Sequence, residues 1–196
     1  AENLHVVHHG VDPRYRYDGP PDVPPFVLHV SIAAKRKNPD AIVETARRLD
    51  APFVVAGSGW AERFAGVPDT ENVDVRGYVP ESDLVDLYHD AAVFYFPTRH
   101  EGFGLPVLEA MAASTAVVTT DVYSVPEVTG DAAVLRDPHD TDAHVAAVER
   151  LLEDGDDRRA LARRARERAS QFTWERAASE TEAVYRRIGP ASTTRE

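Results

Sequence analysis

A chain of 196 residues, 43% hydrophobic and 28% charged, is long enough to bury the core of one domain and too apolar to be disordered. Its 33 acidic residues against 22 basic ones give a net charge of −11, the wrong sign for sequence-independent binding to nucleic-acid phosphates. The absence of Cys excludes disulfides, zinc–cysteine sites and cysteine nucleophiles, and no apolar run approaches the roughly 20 residues of a membrane helix.

Lysine is confined to Lys35 and Lys37, and every other basic residue is Arg. An acidic, lysine-poor surface fits a salt-rich cytoplasm, where self-repulsion preserves solubility. It equally fits a high-GC genome that codes Arg in place of Lys. No basic start followed by an apolar stretch marks a signal peptide, so the expected location is cytoplasmic. The chain begins at Ala1 rather than Met and is expected to be part of a longer polypeptide.

Val6 and Val7 suggest a short entry strand before a turn at His9-Gly10-Val11-Asp12. Pro20, Pro21, Pro24 and Pro25 stiffen a linker and exclude helix. Residues 26–31 form an apolar strand. A helix follows over 39–49, with Ile42, Val43, Ala46 and Leu49 at helical spacing; Asn38 is its expected cap and Pro39 its first residue. Further strands are expected at 53–56, 73–75, 93–96, 116–119 and 132–135. Helices are expected at 83–91, capped by Ser82, and at 105–113, 141–153, 157–170 and 174–188, with residues 191–196 frayed. Continuous apolar strands separated by helices point to an α/β fold: a Rossmann-like, doubly wound parallel sheet with helices on both faces. Ligands of such sheets sit at the carboxyl ends of the strands.

Two strand-end loops carry chemistry. Lys35-Arg36-Lys37 places three cations before a helix start, where the positive end of the dipole disfavours them unless an anion such as a diphosphate is present. The stretch 101–109, Glu-Gly-Phe-Gly-Leu-Pro-Val-Leu-Glu, combines two glycines with Pro106 at a helix start. The free N–H groups of Phe103, Gly104 and Leu105 would point from that start toward an anion. The carboxylates Glu101 and Glu109 flank it and suit the hydroxyls of a sugar and a ribose. The two Gly-x-Gly turns, Gly57-Ser58-Gly59 and Gly102-Phe103-Gly104, lack the third glycine of a dinucleotide fingerprint. Adjacent strand residues face opposite ways, so His8 and His9 are not expected to share a metal.

Glu101 to Glu109, two glutamates separated by seven residues, resembles the signature of the retaining glycosyltransferases of the GT-B fold. His9-Gly10-Val11-Asp12, Arg36-Lys37-Asn38, Gly77-Tyr78-Val79, Pro97-Thr98, Val125-Pro126-Glu127-Val128 and Phe172-Thr173-Trp174 resemble further family segments, in order, over nearly the whole chain. The resemblance implies that Arg36 and Lys37, with Lys35 nearby, bind the donor diphosphate. It also implies that Glu101 binds the donor sugar and Glu109 the ribose. Gly102, Phe103, Gly104 and Leu105 would contact phosphates and sugar, and Tyr78 and Val79 would line the base pocket. It implies no metal cofactor. The donor would be a nucleoside-diphosphate sugar, GDP-mannose first and UDP-glucose or another UDP-sugar second.

Ser31 and Ile32 depart from the Gly-Arg or Gly-Thr of many relatives, and His9 from the usual Asn. The resemblance divides the chain into a linker (1–25), a Rossmann-like nucleotide-sugar-binding domain (26–171), a helix that would cross to an absent N-terminal domain (172–190) and a disordered tail (191–196). The absent domain would bind the acceptor, a glycan, lipid or other hydroxyl compound, and would carry any membrane association. This chain alone would then bind donor and transfer poorly. A reading of another class, a non-catalytic nucleotide-binding or signalling module, leaves Glu101 unexplained.

Overall fold

A computed structural model describes residues 4–17, 19 and 25–188. The prolines at 20, 21 and 24 and the tail at 191–196 lie outside the described residues. Among the described residues six parallel strands form one sheet: β1 (Val27–Val30), β2 (Phe53–Ala56), β3 (Val73–Gly77), β4 (Val93–Phe96), β5 (Ala116–Thr120) and β6 (Val134–Arg136). Their order is β3-β2-β1-β4-β5-β6, the doubly wound order whose direction of growth reverses between β1 and β4.

Alternation along the strands divides the core between the two faces. Leu28, Val54, Phe94, Phe96 and Val117 point to one side. There they meet α3 (Glu81–Asp90), α4 (Leu105–Ala112), the short α5 (Val125–Thr129) and the second half of α7 (Gly155–Ala169). Val27, Phe53, Val55, Val93, Tyr95 and Val118 point to the other, against α1 (Pro39–Arg48), the short α2 (Trp60–Phe64) and α6 (Thr141–Glu153). The last helix, α8 (Trp174–Ile188), follows Phe172. Fully buried strands explain why the apolar runs are continuous rather than alternating.

Local expectations are met in most places and corrected in four. Residues 6 and 7 form no strand; Val6 is exposed. The entry segment is held instead by the Val11 N–H bond to the Phe172 carbonyl and by the rings of His8 and His9. Asn38 precedes α1 but in a left-handed conformation, and its side chain donates to the Pro138 carbonyl at 2.7 Å rather than capping. Ser82 lies inside α3, which starts at Glu81 after Pro80, and its hydroxyl bonds to Asp83. The short helices α2 and α5 were not expected. Asp140 caps α6 through Ala143 N–H at 2.9 Å.

Candidate active site

The β1–β4 switch point puts two loops of distant sequence side by side. Strand register pairs Val27 with Val93 and Leu28 with Phe94. The chain leaving β1 therefore runs beside the chain leaving β4. After β1, Lys35–Lys37 forms a single 3-10 turn. The Arg36 carbonyl accepts from Arg99 N–H at 2.8 Å and from the Thr98 hydroxyl at 3.0 Å, which stitches that turn to the loop after β4.

This contact brings Arg36, Lys37 and Glu101 together. The Lys37 ammonium donates to Glu101 Oε2, and Arg36 approaches Oε1 at 3.4 Å. Lys37 is only 5% exposed, and its nitrogen lies 4.4 Å from the centroid of the Phe96 ring. Burial lowers the Lys37 pKa below its usual value, and Glu101 opposes the shift. The charge conflict expected for the basic triplet is thus met within the chain: Glu101 supplies the anion, and α1 begins beyond it at Pro39. Lys35 is exposed and forms no ion pair among the described residues.

Gly104 precedes α4 with φ of 96°, a conformation that favours glycine. A Cβ built there would lie 3.6 Å from Glu101 Cγ, so the Glu101 side chain rests against the helix start. Among the described residues the N–H groups of Phe103, Gly104 and Leu105 donate to no backbone acceptor, as the first turn of a helix leaves them. Gly102 and Leu105 are exposed at the rim. The Phe103 ring is half-buried and packs edge-on against His9 at 5.0 Å and Phe172 at 6.1 Å. His9 also meets Trp174 at 5.8 Å. The entry segment and the start of α8 therefore brace the glycine-rich loop from behind.

Glu109 sits one turn into α4 and accepts from the Tyr88 hydroxyl at 3.0 Å. Burial raises its pKa above the usual carboxylate value, and the Tyr88 bond partly offsets this. Tyr78 follows the edge strand β3, two strands and roughly 10 Å from β1. It is 86% exposed, and its ring meets no other ring among the described residues. Val79 is half-buried and packs on the core. The structure thus joins Arg36, Lys37 and Glu101 but does not bring Tyr78 and Val79 into contact with them.

Gly57-Ser58-Gly59 is a packing turn. Gly57 has φ of 127°, and a Cβ there would collide with the Ser31 carbonyl oxygen. Ser58 and Trp60 hold the same loop, through Ala33 N–H at 2.9 Å and through Trp60 Nε1 donating to the Ser31 carbonyl at 2.6 Å. Beneath it His29 is fully buried. Its Nδ1–H donates to the Tyr95 carbonyl at 2.8 Å, which leaves Nε2 to accept from the Ser31 hydroxyl at 2.7 Å. Burial pushes the His29 pKa down to about 4, so the ring is neutral.

Sequence reasoning gave no site role to His29, Phe96 and Tyr88, and quoted Thr98 only within the Pro97-Thr98 resemblance; each acts through a contact to a residue distant in sequence. Among the described residues no group of three or more His, Asp or Glu could hold a metal ion, and no helix is long and apolar enough to cross a membrane.

Comparison with known proteins places this geometry. The family model for glycosyl transferases group 1 matches residues 16–168. O-antigen chain mannosyltransferase B of Escherichia coli is 44% identical over 173 residues, covering 82% of this chain and 45% of that protein. Alpha-maltose-1-phosphate synthase of Mycolicibacterium smegmatis is 34% identical over 172 residues, 83% of this chain and 44% of that one. The solved structure of sucrose-phosphate synthase from Thermosynechococcus elongatus shares the fold with a TM-score of 0.83 at 24% identity, over 94% of this chain and 52% of that one. The chain spans about half the length of the curated relatives it matches. Its sequence over most of its length, and its parallel sheet with the two strand-end loops, identify it: the chain belongs to the group 1 glycosyl transferases.

Proposed function

We propose that this chain is the donor-binding part of a retaining glycosyltransferase that transfers mannose from a nucleoside-diphosphate sugar, with GDP-mannose the leading donor, to an acceptor hydroxyl. The observation that carries the reading is the cluster of Arg36, Lys37 and Glu101 in the β1–β4 crevice, beside the open N-terminus of α4. Cations and unpaired N–H groups suit a diphosphate, and a carboxylate suits sugar hydroxyls. The choice of mannose is supported by the name of the Escherichia coli relative, a mannosyltransferase.

In this reading the acceptor oxygen bonds to C1 of the sugar on the face from which the diphosphate departs. The C1–O bond breaks with its electron pair going to the nucleoside diphosphate, and the acceptor proton passes to the departing phosphate oxygen. Arg36 and Lys37 stabilise the charge on the leaving group, so no metal is invoked. Glu101 holds the sugar, Glu109 the ribose, and Tyr78 with Val79 the base. Lys35 adds an exposed charge nearby, and Gly102 lets the loop approach the sugar. The reading places the chain in the cytoplasm. The acceptor, a glycan, lipid or other hydroxyl compound, would be held mainly outside this domain, with any membrane contact there too.

Titration calorimetry with GDP-mannose, GDP, UDP-glucose and UDP tests the reading. Saturable binding of one nucleotide series, tighter with the sugar attached, is the expected result. Binding of the UDP series alone would replace GDP-mannose as donor. Binding of neither series would overturn the reading.

A further inference from the structure

Tyr123 stands in the loop between β5 and α5 with φ of 50°, a left-handed backbone that a bulky side chain rarely adopts. Its ring is 69% exposed and stands against the His100 ring, with centroids 4.2 Å apart and planes inclined by 62°. His100 immediately precedes Glu101. The neighbouring residues tie this loop to the same place: Ser124 Oγ donates to the Glu101 carbonyl at 3.3 Å, and Thr120 Oγ1 to the Thr98 carbonyl at 2.6 Å. A single exposed aromatic residue is ordinary. One held in a costly backbone conformation, braced by a second ring, in a loop tied to the Glu101 backbone carbonyl, is not accounted for by folding. Gly or Asn would relieve the backbone at no loss of core packing, and strain of this kind concentrates at ligand sites.

An aromatic face beside a carboxylate suits a ligand that is apolar on its flat side and hydroxylated at its edge. A phosphate is repelled by the negative face of the ring. A pyranose fits both requirements, because its axial C–H bonds form an apolar face while its hydroxyls project outward. We propose that Tyr123, braced by His100, is a stacking platform for a pyranose ring next to Glu101. The proposal rests on the reading of Glu101 as a sugar ligand. Two sugars present this chemistry: that of the donor and the terminal sugar of the acceptor.

The test compares the chain with its Tyr123→Phe, Tyr123→Ala and Tyr123→Gly variants. Calorimetry measures GDP and GDP-mannose, or the uridine pair if that series binds. Saturation-transfer NMR measures methyl α-mannopyranoside and methyl α-glucopyranoside. Thermal melting establishes that each variant is folded, and Tyr123→Gly, freed of its strained conformation, is expected to melt at or above the parent. Tyr123→Phe should retain sugar binding, whereas Tyr123→Ala and Tyr123→Gly should lose it.

A loss of at least fivefold in GDP-mannose affinity with GDP unchanged assigns the platform to the donor sugar. Loss of the methyl glycoside signal with GDP-mannose unchanged assigns it to the acceptor. Sugar binding that is equal in the parent and Tyr123→Gly overturns the proposal, as does absence of any sugar contribution in the parent. If the sugar signal depends on Tyr123 while no nucleotide binds, the platform stands and the nucleotide reading falls. If GDP binds and neither sugar depends on Tyr123, the reverse holds.

Discussion

Lys37 and Glu101, 64 positions apart, close an ion pair over the ring of Phe96. The pair is nearly dry, with the Glu101 side chain 12% exposed. Removing one partner of such a pair leaves a buried charge, which costs more than the pair contributes. Glu101→Ala is therefore expected to destabilise the fold by about 1–3 kcal/mol, while Lys37→Met with Glu101→Leu recovers much of that. Chemical denaturation of the single and double variants measures the coupling; additive losses would show that the pair does not act as a unit.

Glu101→Gln keeps the shape and removes the charge. Under the proposed function its effect falls on the sugar and not the nucleotide. Affinity for GDP-mannose should drop about tenfold, or about 1.4 kcal/mol, with GDP affinity retained. Equal losses for both ligands would assign Glu101 a purely structural part.

Arg36 is half exposed, and Glu101 holds it only loosely at 3.4 Å. Under the proposed function it turns toward the diphosphate. Arg36→Ala is expected to weaken nucleoside diphosphate binding about tenfold with little change in melting temperature. The parent affinity should fall with added salt, and fall less in the variant. Calorimetry at low and high salt reads both effects.

Glu109 has its pKa raised by burial, so the folded state holds that proton more tightly than the unfolded chain does. The stability this confers is fully present below the unfolded carboxylate pKa and is lost as pH rises through the folded value. Glu109→Gln removes the cost of burying the charge and still accepts from Tyr88. It should therefore raise stability at pH 7 by about 1 kcal/mol or less, and it should weaken nucleoside diphosphate binding. Urea denaturation at pH 7 and titration with GDP check the two halves; greater stability with unchanged affinity would remove Glu109 from the site.

His29 carries the opposite dependence. Its folded pKa lies at about 4, below the unfolded value of 6.5. The neutral ring supports the fold above pH 6.5, and that support is lost as pH falls toward 4. Between pH 6.5 and 5 it accounts for a fall of about 2 kcal/mol. His29→Asn, whose amide can still donate to the Tyr95 carbonyl, should be less stable at pH 7 and show a flatter pH profile over this range. Denaturation at several pH values decides; parallel profiles would place the acid sensitivity elsewhere.

The amino-acid sequence by itself determined the alternation of strands and helices, the parallel character of the sheet and the two loops that matter. Apolar runs such as Val93–Phe96 and helical spacing in 39–49 are local signals, and burial on both faces leaves them no other reading. The run from Glu101 to Glu109 was legible because its glycines and proline specify a helix start within a few residues. The tertiary structure decided which loops are neighbours. Strand order places β4 beside β1, where Lys37 finds Glu101, and β5 beside β4, where Tyr123 meets His100, while the packing of α3 on α4 gives Glu109 the Tyr88 hydroxyl. None of these partners lies within a helical turn or a strand pair of the other in sequence. The absence of a strand at residues 6 and 7 has the same origin, since β-branched residues favour a strand only where a neighbouring edge is there to pair with them. Local periodicity records which way a side chain faces, whereas its partner is chosen by packing across the whole sheet.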